Sequence, residues 1–209
     1  MNHGRSASDD PVGAVAQDLA ARHGLIGLVH PPAPLPAWQA LPAARIWLTK
    51  ALAAAAVAEP QAAMAAEWLL DNDFHVQRAI LQIGEDLPPT FHDRLPGLAD
   101  PETRPFARTY YLAHELLHAT HLQLSLPSAI HFINRYQDES PLSIAELWAF
   151  PTMLRLACLE LLITGFSGLF PDIPLPFRIG PAAEISATAA DSECVSRAIA
   201  NLVVISTIQ

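Results

Sequence analysis

The clearest chemical motif in the sequence is His114-Glu115-Leu116-Leu117-His118, which matches the H-E-x-x-H pattern of zinc hydrolases. On a helix the two histidines lie one turn apart and can bind one zinc ion, and Glu115 would activate the metal-bound water. The extended pattern H-E-x-x-H-x-x-G-x-x-H is absent, because His121 takes its glycine position and Leu124 its last histidine position. A third ligand would have to be a downstream glutamate, for which the candidates are Glu139, Glu146 and Glu160.

The same motif has a simpler explanation as the polar face of an amphipathic helix. The chain carries nine histidines, so a short pattern of this kind can match by chance. Zinc proteases of this type usually pair the helix with a sheet, and no alternating strand of convincing length is evident here. We therefore predict no bound metal and no other cofactor, and we keep a zinc-dependent hydrolase using His114, Glu115 and His118 as an alternative.

Two other segments place acidic residues beside a tryptophan in otherwise aliphatic helices. Residues 67–75 contribute Glu67, Trp68, Asp71 and Asn72, and residues 141–155 contribute Glu146, Trp148 and Arg155. Paired carboxylates with neighbouring aromatic rings describe a sugar site, which would make the chain a glucan-binding module. The alternative is a structural network, in which the first pair of acids bonds to Arg78 along one helix face and Glu146 bonds to Arg155 across helices.

The helices that must position these residues are separated by three clusters of proline, which fixes φ and lacks an N–H donor. Between the clusters apolar residues recur at helical spacing, and Ser143 with Glu146 forms a capping-box pattern. Pro151 is expected to kink or divide the helix that follows. Helices are predicted over residues 12–23 (after a Ser8-Asp9-Asp10 cap), 43–58, 61–84, 106–124, 127–138 and 143–164, with a last helix after Asp191. The predicted fold class is all-α, a multi-helix bundle of antiparallel helices joined by proline-rich loops.

Composition narrows the classes of partner. Twelve basic and 21 acidic residues give a formal charge of −9, which argues against nucleic acid and against simple docking on anionic lipid. The N-terminus shows no apolar signal region. The apolar stretch 153–170 contains Arg155 and Glu160, so it falls short of a clean membrane span. Cys158 and Cys194 are expected to be reduced thiols, and a cytoplasmic location is predicted.

The last helix carries its apolar stripe to the end of the sequence. Ala198, Leu202, Ile205 and Ile208 continue the helical spacing, and no capping glycine or polar tail follows them. This pattern fits a terminal helix packed on the bundle. It also fits a chain that stops within a larger architecture.

Five segments, in order, resemble the N-terminal helical region of bacterial cyclic β-1,2-glucan synthases. They are residues 66–75, 86–98, 113–117, 141–155 and 205–208, and they include Glu67-Trp68-Leu69-Leu70-Asp71-Asn72, Asp86-Leu87-Pro88 and Glu146-Leu147-Trp148. The resemblance covers residues 43–209, predicted to be one helical domain that ends within a helix. Residues 1–42, which match weakly, are predicted to form an N-terminal helix and a proline-rich linker. The departures are an extra Asp73, Ala145 in place of a glycine, and the H-E-x-x-H motif, which the family lacks.

The resemblance implies a part in carbohydrate metabolism without catalysis by this chain. Members of the family are very long proteins that polymerise glucose from UDP-glucose, with a membrane-embedded glycosyltransferase and a glycoside-phosphorylase-like module. The residues that do this chemistry lie outside the present sequence, so no catalytic residue is predicted here. We expect a scaffold or docking region, at the cytoplasmic face of the inner membrane through the parent enzyme. Its partners would be the remaining domains of that enzyme or a separate subunit, with a glucan as the alternative ligand.

Overall fold

The computed structural model of the chain describes residues 10–55, 60–100, 104–170, 172–178 and 192–206. These ranges are mostly helical, which confirms the all-α prediction. A two-residue antiparallel ribbon pairs Leu28 with Leu98 and Val29 with Gly97. The helices are α1 (Pro11–Gly24), α2 (Pro36–Gln39), α3 (Leu41–Ala55), α4 (Pro60–Asp71), α5 (Asp73–Asp86), α6 (Pro89–His92), α7 (Arg108–Ala119), α8 (Leu126–Gln137), α9 (Ile144–Leu169) and α10 (Ser192–Ser206), and the strands are β1 (Leu28–Val29) and β2 (Gly97–Leu98).

The bundle is built around α9, which packs against α10, α5 and α7. The predicted capping box begins this helix: the Ser143 hydroxyl accepts from the Glu146 N–H, and the Glu146 carboxylate accepts from the Ser143 N–H at 2.9 Å. Pro151 was expected to kink or divide this helix; the helix runs unbroken through it, so the division is wrong and the kink stays a prediction. Proline removes one backbone donor, and the carbonyl that loses it belongs to Leu147, an exposed residue that water can reach.

Within the described residues, α9 is long and apolar enough to cross a membrane. Its most apolar 18-residue window is 83% buried inside the protein. A helix that neighbouring helices cover on all sides carries apolar residues on every face, whether or not it crosses a membrane. The packing of α9 therefore accounts for its composition.

The single helix predicted over residues 61–84 is two helices that meet at Asn72. Asn72 has φ −115° and ψ 12°, and its side-chain amide donates to the Trp68 carbonyl at 2.9 Å. In a continuous helix that carbonyl would accept from a backbone N–H. A short polar side chain competes with the helix in this way, which explains the break.

The helix predicted over residues 106–124 is shorter at both ends and stops at Ala119. His121 and Leu122 adopt positive φ values of 50° and 58°. The His121 N–H bonds to the His118 carbonyl at 2.9 Å, and the Leu122 N–H bonds to the Leu117 carbonyl at 2.8 Å. These two bonds form a Schellman-type helix end, which the sequence hides because histidine occupies the position where glycine is usual.

The terminal helix α10 packs on α9, α4 and α5. Its stripe is buried against them and consists of Val195, Ala198, Ile199, Leu202 and Ile205. Asn201 ties the helix to the segment after α7, since its amide group accepts from the Leu124 N–H and donates to the Leu122 carbonyl, both at 3.2 Å. The stripe as far as Ile205 is therefore covered within this chain, and Ile208 lies outside the described residues.

The N-terminal helix α1 packs against α8 and α7. Asp10 caps it as predicted, accepting from the Gly13 N–H at 2.9 Å, while Ser8 and Asp9 lie outside the described residues. The β1–β2 ribbon joins the segment after α1 to the segment before α7. The proposed boundary between residues 42 and 43 stays a prediction.

Candidate functional site

Glu146, the acid of the second tryptophan motif, is buried in an ion pair with Arg108. Arg108 Nε donates to Glu146 Oε1 at 2.8 Å and Arg108 Nη2 donates to Oε2 at 2.9 Å, which is the bidentate geometry that strengthens such pairs. Arg108 also donates to the Ser140 hydroxyl at 3.0 Å and to the Pro141 carbonyl at 3.1 Å. Burial opposes the charged form of Arg108, but the hydrogen bond and charge of Glu146 outweigh it and raise the pKa of the guanidinium.

This geometry overturns one predicted contact. Glu146 bonds to Arg108 rather than to Arg155, and Arg155 pairs with Asp86 instead. Both carboxylate oxygens of Glu146 accept hydrogen bonds from Arg108, and Oε2 accepts a further one from the Ser143 N–H. The arrangement joins α7, the α8–α9 loop and the start of α9, so Glu146 has a structural role.

The first tryptophan motif lies on the surface of α4. Glu67 and Asp71 are exposed, and Trp68 is 47% exposed. The Asn72 side-chain amide donates to the Trp68 carbonyl at the helix break described above. Within the described part of the chain, no ion pair joins Glu67 or Asp71 to Arg78, so the network predicted on this face does not form there.

The two histidines of the H-E-x-x-H motif have different surroundings. His114 is buried, and its Nε2 lies 2.8 Å from Oε2 of Glu160, which also accepts from the Tyr110 hydroxyl at 3.0 Å. His118 is exposed, and Glu115 is half-buried. No group of three histidine, cysteine, aspartate or glutamate side chains in the described ranges could hold a metal ion. Glu160, one of the candidate third ligands, thus serves as the hydrogen-bond partner of His114.

We expect protein purified without added metal to contain no stoichiometric zinc. The reason is that the nitrogen of His114 that a metal would need is bonded to Glu160, inside the bundle. Metal analysis by plasma mass spectrometry is the measurement. One zinc per chain that disappears in both His114→Gln and His118→Gln, but persists in the control His121→Gln, would contradict this expectation.

Two residues of the second motif, Trp148 and Arg155, line a cleft of about 530 Å³ formed by α5, α6, α9 and α10. Trp148 is 77% exposed, whereas Arg155 is only 3% exposed. Arg155 Nη1 lies 3.6 Å from Oδ2 of Asp86, the last residue of α5. Burial lowers the pKa of Arg155, and the charge of Asp86 partly offsets that effect. We call this the Trp148 cleft; its other lining residues are Phe91, Leu147, Pro151, Thr152 and Ile205.

A larger open groove of about 1310 Å³ lies between α3 and α5, and residues of α2 and α6 also line it. Ile46 from α3 and Leu81 from α5 line it, and each is more than half exposed. Trp38 stacks on His92 with ring centroids 4.7 Å apart, and burial lowers the pKa of His92. We call this the α3–α5 groove; its loops contribute Pro31, Pro32, Pro34, Pro42 and Pro89.

The α3–α5 groove is the feature that the sequence did not reveal. Two proline clusters were interpreted as connecting segments only, and they also build its wall. The available signal was the combination of those clusters with Ile46 and Leu81, apolar residues that helical spacing leaves off the buried stripes. Spacing alone does not say which two helices place such residues side by side.

Comparison with known proteins relates part of the chain to one synthase. The cyclic beta-(1,2)-glucan synthase NdvB of Rhizobium meliloti (strain 1021) is 38% identical to this chain over 96 residues. The match covers 46% of this chain and 3% of the synthase. No family model matches the chain, and no solved structure matches it. The resemblance on which the sequence prediction was based is therefore confirmed, and over these 96 residues the chain is related to the cyclic β-1,2-glucan synthases.

Proposed function

We propose that this chain is a non-catalytic helical docking region of a cyclic β-1,2-glucan synthase-like protein. The α3–α5 groove would bind an apolar helix face from the remaining part of that protein. The observation that carries the proposal is the groove itself, an open apolar surface between two helices. The proposed location is the cytoplasmic face of the inner membrane, through the synthase.

The chemistry of the groove suits a helix better than a small ligand. Its volume of about 1310 Å³ exceeds the roughly 300–1,000 Å³ of most small-molecule sites. Leu81 and Ile46 are 58% and 59% exposed, and Phe74, two turns before Leu81 on the same face of α5, is 68% exposed. Exposed apolar residues of this size in one region mark interaction surfaces, and a groove between helices accepts an amphipathic helix.

The relative supplies the reason for choosing this occupant. The matched segment is 3% of the synthase, so most of that protein lies outside the matched region and is available to cover such a surface. The groove carries both signs of charge at its edge, from Arg45, Glu85 and Asp93. Charges of both signs favour a protein partner with complementary side chains over a nucleic acid or an anionic lipid.

The surroundings of two buried acids, Glu146 and Glu160, support a role without catalysis. Glu146 is held by Arg108 and Ser143, and Glu160 is held by Tyr110 and His114. Glycoside chemistry needs two carboxyl groups facing each other across a substrate. Both oxygens of Glu146 already accept hydrogen bonds, and the one oxygen of Glu160 without a partner is fully buried, so neither acid faces a substrate.

We expect Leu81→Glu to weaken docking at least about tenfold, because it places a charge on an apolar surface that a partner must dehydrate. The measurement is co-purification, followed by a binding isotherm, of this chain with the related synthase from which the matching 96-residue region has been deleted. Leu25→Glu is the matched control, since Leu25 is 90% exposed and does not line the groove. The proposal fails if the unaltered chain does not bind, or if the two variants bind equally well.

A further inference from the structure

We propose that the Trp148 cleft is a saccharide site, in which a sugar ring stacks on Trp148 and its hydroxyl groups bond to Asp86 and Arg155. This inference goes beyond the docking role, because the cleft and the α3–α5 groove are lined by different residues. It concerns a neutral, polyhydroxylated ligand. Three features of the cleft support it: an exposed ring, an arginine without a hydrogen bond, and a pair of opposite charges.

The exposed ring is the first feature. Trp148 leaves 77% of its surface in water, although its flat indole is the kind of group that proteins normally bury. Ile144, one turn earlier on α9, is 76% exposed as well. The C–H face of a pyranose ring is apolar, and it packs flat on an aromatic ring while the hydroxyl groups point outward. Trp148 at the mouth of the cleft provides such a platform.

The arginine without a hydrogen bond is the second feature. The Arg155 guanidinium has five N–H donors, and it is almost fully buried. Its ion pair with Asp86 has a distance of 3.6 Å, which is beyond ordinary hydrogen-bond distance. Within the described residues, the Arg155 side chain makes no hydrogen bond. None of its nitrogens is among the buried side-chain atoms that lack a hydrogen-bond partner, so these donors face the cleft that Arg155 lines. The donors of Arg155 can be satisfied by oxygens of a ligand in the cleft that Arg155 lines.

The pair of opposite charges is the third feature. Asp86 and Arg155 carry opposite charges and line the same cleft. A vicinal pair of hydroxyl groups can accept from the guanidinium and donate to the carboxylate at the same time. The positive charge of Arg78 also acts on Arg155, so the comparison with UDP in the test below is what separates a neutral sugar from an anion. Thr152 adds a hydroxyl on the same face of α9, one turn from Trp148.

The size of the cleft agrees with this class of ligand. Its volume of about 530 Å³ lies within the range of sites for small molecules. The apolar lining residues Phe91, Leu147 and Ile205 surround a small number of polar groups, which is the usual composition of such sites. An oligosaccharide can also extend past the cleft, because Trp148 lies at its exposed edge.

The test is a titration of the chain with a β-1,2-linked gluco-oligosaccharide, followed by calorimetry. We expect saturable binding in the millimolar range or tighter. Trp148→Ala should weaken it at least tenfold by removing the platform, and Asp86→Asn should weaken it severalfold by removing the charged acceptor. Trp148→Phe keeps an aromatic face and should retain binding within about threefold. Trp68→Ala is the matched control, since Trp68 is an exposed tryptophan of α4 outside the cleft.

The outcomes separate the ligand classes and the two proposals. Saturable binding of UDP without binding of the saccharide would overturn the inference in favour of an anion site. No saturable saccharide binding, or equal binding by the Trp148→Ala and Trp68→Ala variants, would also overturn it. Leu81→Glu, the docking variant, should leave saccharide binding unchanged, and Trp148→Ala should leave docking unchanged. Failure of one proposal is thereby distinguishable from failure of the other.

Discussion

Replacing Arg108 with methionine is expected to lower the free energy of unfolding by about 3–5 kcal/mol. The substitution keeps the unbranched apolar stem and leaves the Glu146 carboxylate buried without its bidentate partner. Glu146 is 1% exposed, so water cannot replace the lost donors. Ser140 and Pro141 lose hydrogen bonds as well. Urea unfolding followed by circular dichroism gives the measurement.

Two further variants show whether the loss comes from the uncompensated charge. The double variant Arg108→Met, Glu146→Gln should recover much of the stability, because glutamine is neutral and still accepts from the Ser143 N–H in the capping box. Arg135→Met is the control: the Arg135–Asp138 pair has the same 2.8 Å distance but is exposed, so a change below about 1 kcal/mol is expected. Similar losses of stability in Arg108→Met and Arg135→Met would show that breaking the buried pair costs no more than breaking an exposed one.

The second large effect is a loss of stability in acid that is caused by His23. Its Nδ1 lies within hydrogen-bond distance of the Tyr136 hydroxyl, at 2.9 Å. Burial lowers the pKa of His23 to about 4, and the nearby positive charges of Arg108 and Arg22 act in the same direction. In the unfolded chain the ordinary histidine pKa is about 6.5. The neutral imidazole is therefore part of the folded state.

These two pKa values determine how the free energy of unfolding changes with pH. Above pH 6.5 both states are neutral at His23 and there is no penalty. As the pH falls from 6.5 to 4, the unfolded state takes up a proton that the folded state resists, so stability decreases with decreasing pH. The contribution at pH 4 is about 3 kcal/mol. We expect His23→Gln to flatten the dependence of the unfolding free energy on pH by this amount.

The control for this prediction is His118→Gln, because His118 is an exposed histidine of the neighbouring helix α7. Urea midpoints measured from pH 7.5 to pH 4 should fall in parallel for the unaltered chain and His118→Gln. His23→Gln should follow a shallower line. Parallel behaviour of all three proteins would show that the pKa of His23 is the same in the folded and the unfolded chain, which contradicts the prediction.

Local rules explain which elements the sequence predicted well. The start of α9 was readable because Ser143 and Glu146 are three residues apart and satisfy each other's backbone donors. The start of α1 was readable for a similar reason at Asp10. The prediction missed the break at Asn72, where a side-chain amide takes the place of a backbone donor. The division considered at Pro151 does not occur, because the helix continues through it. The prediction also failed at His121, where a histidine adopts the conformation usually given to glycine.

The sequence by itself determined the fold class and the family resemblance, because helical spacing, capping pairs and ordered motifs are properties of neighbouring residues. Only the tertiary structure decided the partners of the chemical groups. Glu146 bonds to Arg108 and His114 to Glu160, across 38 and 46 residues of chain. Asp86 and Trp148 line one cleft, although they belong to separate motifs. Such pairings depend on how each helix is rotated against its neighbours, and that rotation is set by the packing of whole apolar faces rather than by any local pattern.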